Sequence, residues 1–253
     1  MKTKLLISAV LLLSVFGGCK DGPGEMITVR DYIGGYAMIK NIRAYAGTEM
    51  DIMLFEGEVV KCYYRTSDEF QRFREKYGDT KYKARVEVGS PDPTFIVHDF
   101  QAVHVISDAD YDDLHPAGTS LNDLARFLAL SAYPYIQNGY KEYDWESSDK
   151  LSLFNRHFST LKPYWGPQPS SEYKSQLYPI DKIVSALTPD DLKVLGRGHV
   201  GYFGEDVETG SKNPLAVILF TTPPTLDKTH TFTVTMENKK DRTFSATVAM
   251  TFD

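Results

Sequence analysis

Apolar and polar residues alternate in short stretches at both ends of the chain, which predicts strands. Such alternations recur between residues 27 and 64, and residues 94–106 form the longest strand-like stretch of the first half. Residues 215–220 are continuously apolar, which is typical of a strand buried on both faces. Residues 232–236 and 244–252 alternate on either side of a polar turn, which predicts a hairpin with one face on a core.

Three stretches have helical spacing instead. Ser67 begins a predicted helix that ends at Gly78, and its apolar face consists of Phe70, Phe73 and Tyr77. Residues 119–128 predict the best helix of the chain, which Pro134 ends and whose apolar stripe is Leu121, Leu124, Ala125 and Leu128. Residues 180–187 predict a further amphipathic segment.

Strands at both ends with helices between them indicate a mostly β fold with a helical insertion. We expect a β-sandwich, of the immunoglobulin-like kind, because each sheet must bury one face against another layer. The predicted sandwich-like domain spans residues 27–253. Its insertion, at about residues 119–195, is helical and rich in aromatic side chains.

The first 19 residues predict export and a lipid anchor. Lys2 and Lys4 precede an apolar run over residues 5–16, and two glycines lead directly into Cys19. This order is that of a secretory signal peptide, and a cysteine after small residues is typical of a bacterial lipoprotein signal. The run is shorter than the roughly 20 apolar residues of a membrane span. We therefore predict a signal peptide over residues 1–18, acylation of Cys19 and a lipid-anchored tether over residues 19–26.

The anchor also bears on location and on the second cysteine. Lys20 stands where an aspartate would signal retention in the inner membrane, which favours the outer membrane, on either its periplasmic or its cell-surface face. Since the lipid occupies Cys19, Cys62 has no partner within the chain. Its place in an alternating stretch favours a small buried hydrophobe over a catalytic thiol.

Charge excludes one class of partner. The chain has 28 Lys+Arg against 34 Asp+Glu, and removal of the signal peptide takes away two lysines and no acid. A nucleic-acid-binding protein needs clustered basic residues that displace counterions from phosphates, and the chain has no basic run. We therefore expect no nucleic-acid partner, and the sequence indicates no cofactor.

Two parts of the chain resemble a known family. The first is residues 103–108, Val-His-Val-Ile-Ser-Asp, followed by residues 115–123, His-Pro-Ala-Gly-Thr-Ser-Leu-Asn-Asp. The second comprises residues 222–224, 230–234 and 242–244. Together with Cys19, these stretches resemble an uncharacterised family of Bacteroides-type outer-membrane lipoproteins. The resemblance implies that location and a sandwich fold, and it brings no established activity and no catalytic residues.

An acidic loop within residues 108–115 is a candidate calcium site. Asp108, Asp110 and Asp112 alternate, as they do in loops that offer several oxygen ligands to calcium. The full signature fails, because Asp113 stands where a glycine is required and Thr119 where a bidentate glutamate is required. We favour a solvated turn over calcium, since aspartates also stabilise turns.

Three other patterns carry less weight. His98, His104 and His115 suggest zinc, but the first two lie about 20 Å apart along one strand at 3.3 Å per residue. Residues 196–201 match the dinucleotide fingerprint literally, without the following helix that such a site needs. Residues 171–174 fit the Ser-x-x-Lys pattern of penicillin-recognising enzymes without its companion motifs. We expect strand histidines, a glycine-rich turn and a chance match.

The aromatic residues of the insertion are the remaining candidate. Rigid amphipathic rings in polar loops can bind sugars or proteins, and they can also pack an insertion onto a sheet. We favour packing, and we place any ligand-binding site at Trp145, Tyr164 and Trp165.

The first functional hypothesis is a non-enzymatic binding or accessory lipoprotein that contacts a glycan, a peptide or a surface protein. A hydrolase whose site is assembled from distant segments is an alternative, because a single sequence does not reveal such a site. A structural subunit of a surface assembly, which pairs through an edge strand, is another.

Overall fold

The computed structural model describes residues 26–87, 93–158, 174–196, 214–240 and 242–253. Its strands are β1 (Met26–Val29), β2 (Gly35–Ile39), β3 (Ile42–Ala46), β4 (Asp51–Glu56), β5 (Val59–Tyr64), β6 (Ala84–Glu87), β7 (Thr94–Ile96), β8 (Phe100–Ser107), β9 (Ala125–Ser131), β10 (Tyr143–Asp144), β11 (Lys174–Ser175), β12 (Tyr178–Ile183), β13 (Leu195–Gly196), β14 (Ala216–Phe220), β15 (Thr229–Asn238) and β16 (Thr243–Thr251). Its helices are α1 (Asp68–Tyr77), α2 (Tyr133–Gln137) and α3 (Leu151–His157), with a 3₁₀ turn at Val184–Ala186.

Two sheets of the described chain pack on each other. The larger has nine strands in the order β3-β4-β14-β9-β13-β7-β2-β5, with β12 paired to β9, and the smaller has the order β16-β15-β8. The strands β2 and β7 run parallel, and the other pairs are antiparallel. The predicted mostly β, sandwich-like fold is confirmed. An immunoglobulin-like strand order is not.

One hydrophobic core joins the two sheets. It contains Phe127 of β9 and Ile218 of β14 from the larger sheet, and Val105 of β8 and Phe232 of β15 from the smaller. All four side chains are buried. On β15, every second residue from His230 to Met236 is buried, so one face of that strand lies on the core.

Several predicted elements are confirmed. The final hairpin is β15 and β16, in which Phe232 pairs with Val248, and the apolar stretch before it is β14, which lies between β4 and β9. In α1, the hydroxyl of Ser67 accepts a hydrogen bond from the amide of Phe70, and Gly78 closes the helix at a φ of 75°. A left-handed residue of this kind is the usual helix end, and glycine adopts it without strain.

The predicted helix over residues 119–128 is wrong. Residues 125–131 instead form β9, which pairs with β14 through residues 125–128 and with β12 through residues 126–131. Both of its faces are largely buried, because Phe127 belongs to the main core while Leu128 and Leu130 belong to a second cluster. Pro134 does not end a helix but lies in the first turn of α2.

Two further corrections concern segment boundaries. Residues 180–187 are not a helix: they complete β12 and then form the 3₁₀ turn at Val184–Ala186. The stretch at residues 94–106 is two strands, since the chain turns between β7 and β8 at Asp99, which has a φ of 51°. The insertion is therefore partly sheet, because β9 and β12 are members of the larger sheet.

A third hydrophobic cluster lies where α1 packs against β2. Tyr36 of β2 packs on Phe70 and Phe73 of α1, with ring centroids 5.0 and 5.3 Å apart. Tyr32, which follows β1, packs on Tyr135 of α2 at 4.8 Å in the same cluster. Within the described ranges, no helix is long and apolar enough to cross a membrane.

Candidate functional site

Trp145 is a packing residue and not a surface contact. Its exposed fraction is 0%, and its ring lies 4.9 Å from that of Tyr143 and 5.3 Å from that of Phe154 in α3, measured between centroids. The same cluster includes Val217 of β14, so the indole packs the insertion onto the rest of the larger sheet. The burial of Trp145 agrees with packing, which was the favoured interpretation of these aromatic rings, and leaves the indole no exposed surface for a ligand. Tyr164 and Trp165 lie outside the described residues, as does Cys19.

The three candidate histidines occupy separate environments. The Nε2 atom of His98 accepts a hydrogen bond from the amide of Ile39 at 2.6 Å, and burial lowers the pKa of His98 to about 4. His104 of β8 lies 3.6 Å from the carboxylate of Glu237 on β15. His115 belongs to the acidic loop. Among the residues that the structure describes, no three His, Cys, Asp or Glu side chains are grouped to hold a metal ion.

The remaining sequence candidates that the structure describes, Cys62, Lys174 and Gly196, lie on three different strands. Cys62 lies on β5 opposite Ala37 and packs half-buried at the edge of the main core. Gly196 ends β13, and the rest of the fingerprint match, residues 197–201, lies outside the described ranges. Of the Ser-x-x-Lys match, residues 171–173 also lie outside them, and Lys174 begins β11.

The aspartates of the acidic loop bind backbone amides of their own surroundings. The carboxylate of Asp108 accepts from the amide of Thr231 at 2.6 Å, and that of Asp110 accepts from the amide of Ala117 at 2.7 Å. One oxygen of Asp112 accepts from the amides of Leu114 at 2.8 Å and His115 at 2.9 Å. The bonds of Asp112 are turn contacts of the kind that aspartate favours, whereas those of Asp108 and Asp110 connect the loop to Thr231 and to Ala117.

His115 bridges two carboxylates. Its Nδ1 atom lies 2.7 Å from Oδ1 of Asp112, and its Nε2 atom lies 3.2 Å from both carboxylate oxygens of Asp123. Burial acts to lower the pKa of His115, but the hydrogen bonds to Asp112 and Asp123 outweigh it and raise the pKa. The same bond with His115 lowers the pKa of Asp112. The bridge therefore connects the loop to the turn that precedes β9.

The two stretches that carry the family resemblance meet beneath this loop. Nε2 of His230 on β15 donates to the carbonyl of Asp227 at 2.8 Å, and Nδ1 of the same ring is hydrogen-bonded to the hydroxyl of Ser107 at 2.7 Å. Ser107 and His230 are both buried. The hydroxyl of Tyr111 donates to the carbonyl of Thr222 at 2.5 Å. We call Ser107, Tyr111, Thr222 and His230, which these hydrogen bonds connect across the two parts of the chain, the platform of the loop.

We call residues 108–123 together with residues 222–228 the acidic tip. Its loop carries Leu114, whose exposed fraction is 84%, and the neighbouring segment carries Leu226 at 48%. The amide of Leu226 donates to the carbonyl of Tyr111 at 3.3 Å, so the two apolar side chains belong to segments that are bonded to each other. The sequence did not single out either leucine, because a single leucine in a polar loop has no periodicity.

The sequence also did not single out Asp79, a buried carboxylate in the cluster around Tyr32. It accepts hydrogen bonds from the amides of Tyr32 at 2.9 Å and Ile33 at 2.8 Å and from the hydroxyl of Tyr140 at 2.9 Å. Burial raises the pKa of Asp79, and these three hydrogen bonds oppose the shift. The carboxylate holds together the end of α1, the chain after β1 and the chain after α2. It follows a helix end, where no sequence pattern marks it.

Comparison of the chain with protein-family models, with curated proteins and with solved structures finds no match. The resemblance to Bacteroides-type lipoproteins therefore stays a prediction from sequence.

Proposed function

We propose that this chain is a membrane-anchored lipoprotein of the outer membrane that binds a partner and does not catalyse a reaction. Acylated Cys19 would supply the anchor, and the acidic tip would supply the binding surface. The observation that carries the proposal is Leu114, which is 84% exposed on a loop fixed by hydrogen bonds. A partner protein that covers Leu114 and the neighbouring Leu226 would remove both apolar side chains from water, which favours binding.

The direction of the strands supports this arrangement. The tether would precede β1, and Tyr32, which follows β1 along the chain, belongs to the same hydrophobic cluster as Tyr77. The hydroxyl of Tyr77 donates to Asp99 at 3.3 Å, just before β8 begins. The eight residues of β8 then extend about 23 Å, at 3.3 Å per residue, to the acidic tip. A chain anchored through Cys19 would therefore hold the tip away from the membrane.

The buried histidines favour binding over hydrolysis. Ser107 and His230 are enclosed, and so is His157, whose Nδ1 atom lies 3.5 Å from the carboxylate of Asp51. His115 is closer to the surface, but carboxylates engage both of its ring nitrogens. A general base needs a nitrogen within reach of a substrate proton. The rings of His115, His157 and His230 offer no such nitrogen. The burial of Trp145 also removes one of the rings on which a glycan site would depend.

Metabolic labelling with an alkyne-tagged fatty acid in the native host tests the anchor. We expect label on the full chain in the outer-membrane fraction, complete loss of label in Cys19→Ala, and retained label in the matched control Cys62→Ala. Label that persists in Cys19→Ala would refute the anchor.

Site-specific photocrosslinking in the same cells tests the binding surface. A photoreactive residue at position 114 should give a discrete adduct, and one at position 60, which is also exposed and apolar, should give none. Equal adducts at the two positions, or no adduct at position 114, would refute the tip as the binding surface.

A further inference from the structure

The acidic tip combines an apolar anchor with a strongly negative border, and this combination restricts its partner. We infer that the tip binds a basic amphipathic segment of a partner protein, in which lysine or arginine side chains flank an apolar stripe. This inference rests on the proposed binding function and specifies the class of partner.

The apolar part of the contact is small and protruding. Leu114 lies in the turn between Asp112 and His115. Leu226 lies on the adjacent segment, where the amides of Thr225 and Leu226 both donate to the carbonyl of Tyr111. A single protruding leucine fits between the side chains of an apolar stripe, whereas a flat sheet face would require a broad apolar patch. Removing such a side chain from water on binding is favourable.

The loop is ordered before any partner arrives. The amide of Tyr111 donates to the carbonyl of His115 at 2.9 Å, and the amide of His115 donates back to the carbonyl of Asp112 at 3.1 Å. The amide of Asp110 donates to the carboxylate of Asp227, and the amide of Asp227 donates to the carbonyl of Asp110, both at 3.0 Å. Because these bonds hold Leu114 in place, binding loses little conformational entropy at the loop.

The charge around Leu114 determines the sign of the partner. Asp113 is exposed, and Asp123 keeps an exposed side chain even while it contacts His115. Lys228 is the one lysine or arginine within the described segments of the tip. The aspartates there are Asp108, Asp110, Asp112, Asp113, Asp123 and Asp227.

This field repels nucleic acid and anionic lipid headgroups and attracts cationic side chains. The protruding leucine is therefore not expected to insert into an anionic membrane surface. A segment with an apolar stripe alone would leave the aspartates without partners. A stripe with cationic flanks satisfies both parts of the tip, and that match is the basis for naming this class of partner.

Two synthetic helical peptides test the inference directly. Both have one leucine stripe, flanked by lysine in the first peptide and by glutamate in the second. Each is titrated against the full-length protein in neutral detergent micelles, with fluorescence anisotropy as the readout. We expect the lysine peptide to bind and its affinity to fall as ionic strength rises, and we expect no binding of the glutamate peptide.

Variants distinguish binding at the acidic tip from non-specific binding elsewhere on the surface. Leu114→Ser should weaken binding of the lysine peptide about tenfold, since central apolar anchors dominate small interfaces. Asp113→Asn, which removes the charge of an exposed side chain, should weaken it severalfold. The matched control Val60→Ser, on β5 with 59% exposure, should leave the affinity unchanged.

Three results would overturn the inference: no binding of the lysine peptide, equal binding of both peptides, or equal effects of Leu114→Ser and Val60→Ser. These outcomes are distinct from failure of the proposed function. The partner class is wrong if the peptides fail while position 114 still crosslinks in cells. The binding function itself is wrong if position 114 gives no adduct.

Discussion

Removing the carboxylate of Asp79 is expected to destabilise the protein more than any change at its surface. Asp79 is fully buried, and its two oxygens accept hydrogen bonds from three donors. Two of the donors are main-chain amides of Tyr32 and Ile33, and no substitution removes a main-chain amide. They lose their acceptor when the carboxylate is deleted.

The magnitude follows from the number of donors left without an acceptor. Each buried donor that loses its partner costs about 1–3 kcal/mol, and the missing side chain adds a small cavity, so Asp79→Ala should cost about 3–5 kcal/mol. Asp79→Asn keeps one oxygen and places an NH₂ group against one of the donors, which should cost about 1–3 kcal/mol. Tyr140→Phe removes one hydroxyl donor, while the two main-chain amides still donate to the carboxylate, so it should cost about 1 kcal/mol.

The pH dependence has a definite sign. Burial raises the pKa of Asp79 in the folded protein above its unfolded value of about 3.9. The folded state therefore holds this proton more tightly, and the contribution of Asp79 to stability decreases as pH rises from that value through the folded pKa. Both Asp79 variants should accordingly lose more stability at acidic pH than at neutral pH.

Urea unfolding of the full-length protein in neutral detergent micelles measures these differences. The exposed Asp113→Asn change is the control, and it should alter the free energy of unfolding by less than about 0.5 kcal/mol. The reasoning fails if Asp79→Ala costs no more than Tyr140→Phe. It also fails if the cost of Asp79→Ala grows as pH rises.

Two further predictions concern the acidic tip and the insertion. Because the pKa of His115 is raised, its contribution to stability is complete below about pH 6.5 and is lost as pH rises through the folded pKa. His115→Gln should therefore lower the melting temperature most at acidic pH, and a difference that is constant across pH would contradict the bridge. Trp145→Ala should cost about 3–5 kcal/mol because the ring is fully buried. Trp145→Phe should cost clearly less, since the indole NH finds no hydrogen-bond partner among the described residues, and equal costs in urea unfolding would refute this.

The sequence predicted elements well where one face of a strand lies on the core and the other faces solvent. β15 and β16 have this arrangement, and their alternation is visible because burial itself alternates with a period of two. The continuous apolar run of β14 was also predicted correctly, because it lies between β4 and β9. Local capping was sufficient for α1, where Ser67 and Gly78 act within one turn of the helix ends.

The prediction failed at β9, where burial has no period. Residues 125–131 are buried on both faces, and their leucines and alanines favour helix when considered alone. A short apolar run of this kind cannot be assigned from periodicity, and the pairing partners β12 and β14 that decide it lie far along the chain. Tertiary pairing overrode local preference here.

Only part of the acidic tip was visible in the sequence. The aspartates of residues 108–112 were recognised as a turn, and the hydrogen bonds of Asp110 and Asp112 within the loop agree with that interpretation. The bonds from Ser107 to His230 and from Thr231 to Asp108 each join residues 123 positions apart. A single sequence carries no signal for such contacts, so the platform and the exposure of Leu114 required the structure.

In the acidic tip, the residues that hold the loop in place differ from the residue proposed to contact a partner. Ser107, Asp108 and His230 lie in the stretches that resemble the lipoprotein family, and they make the bonds that connect β8 to β15. Leu114 lies between those stretches, and because its side chain is 84% exposed it contributes little to the core. A change at Leu114 can therefore alter what the tip binds without weakening the platform that positions it. Binding and stability should respond to different residues, which makes the proposed function testable in a protein that stays folded.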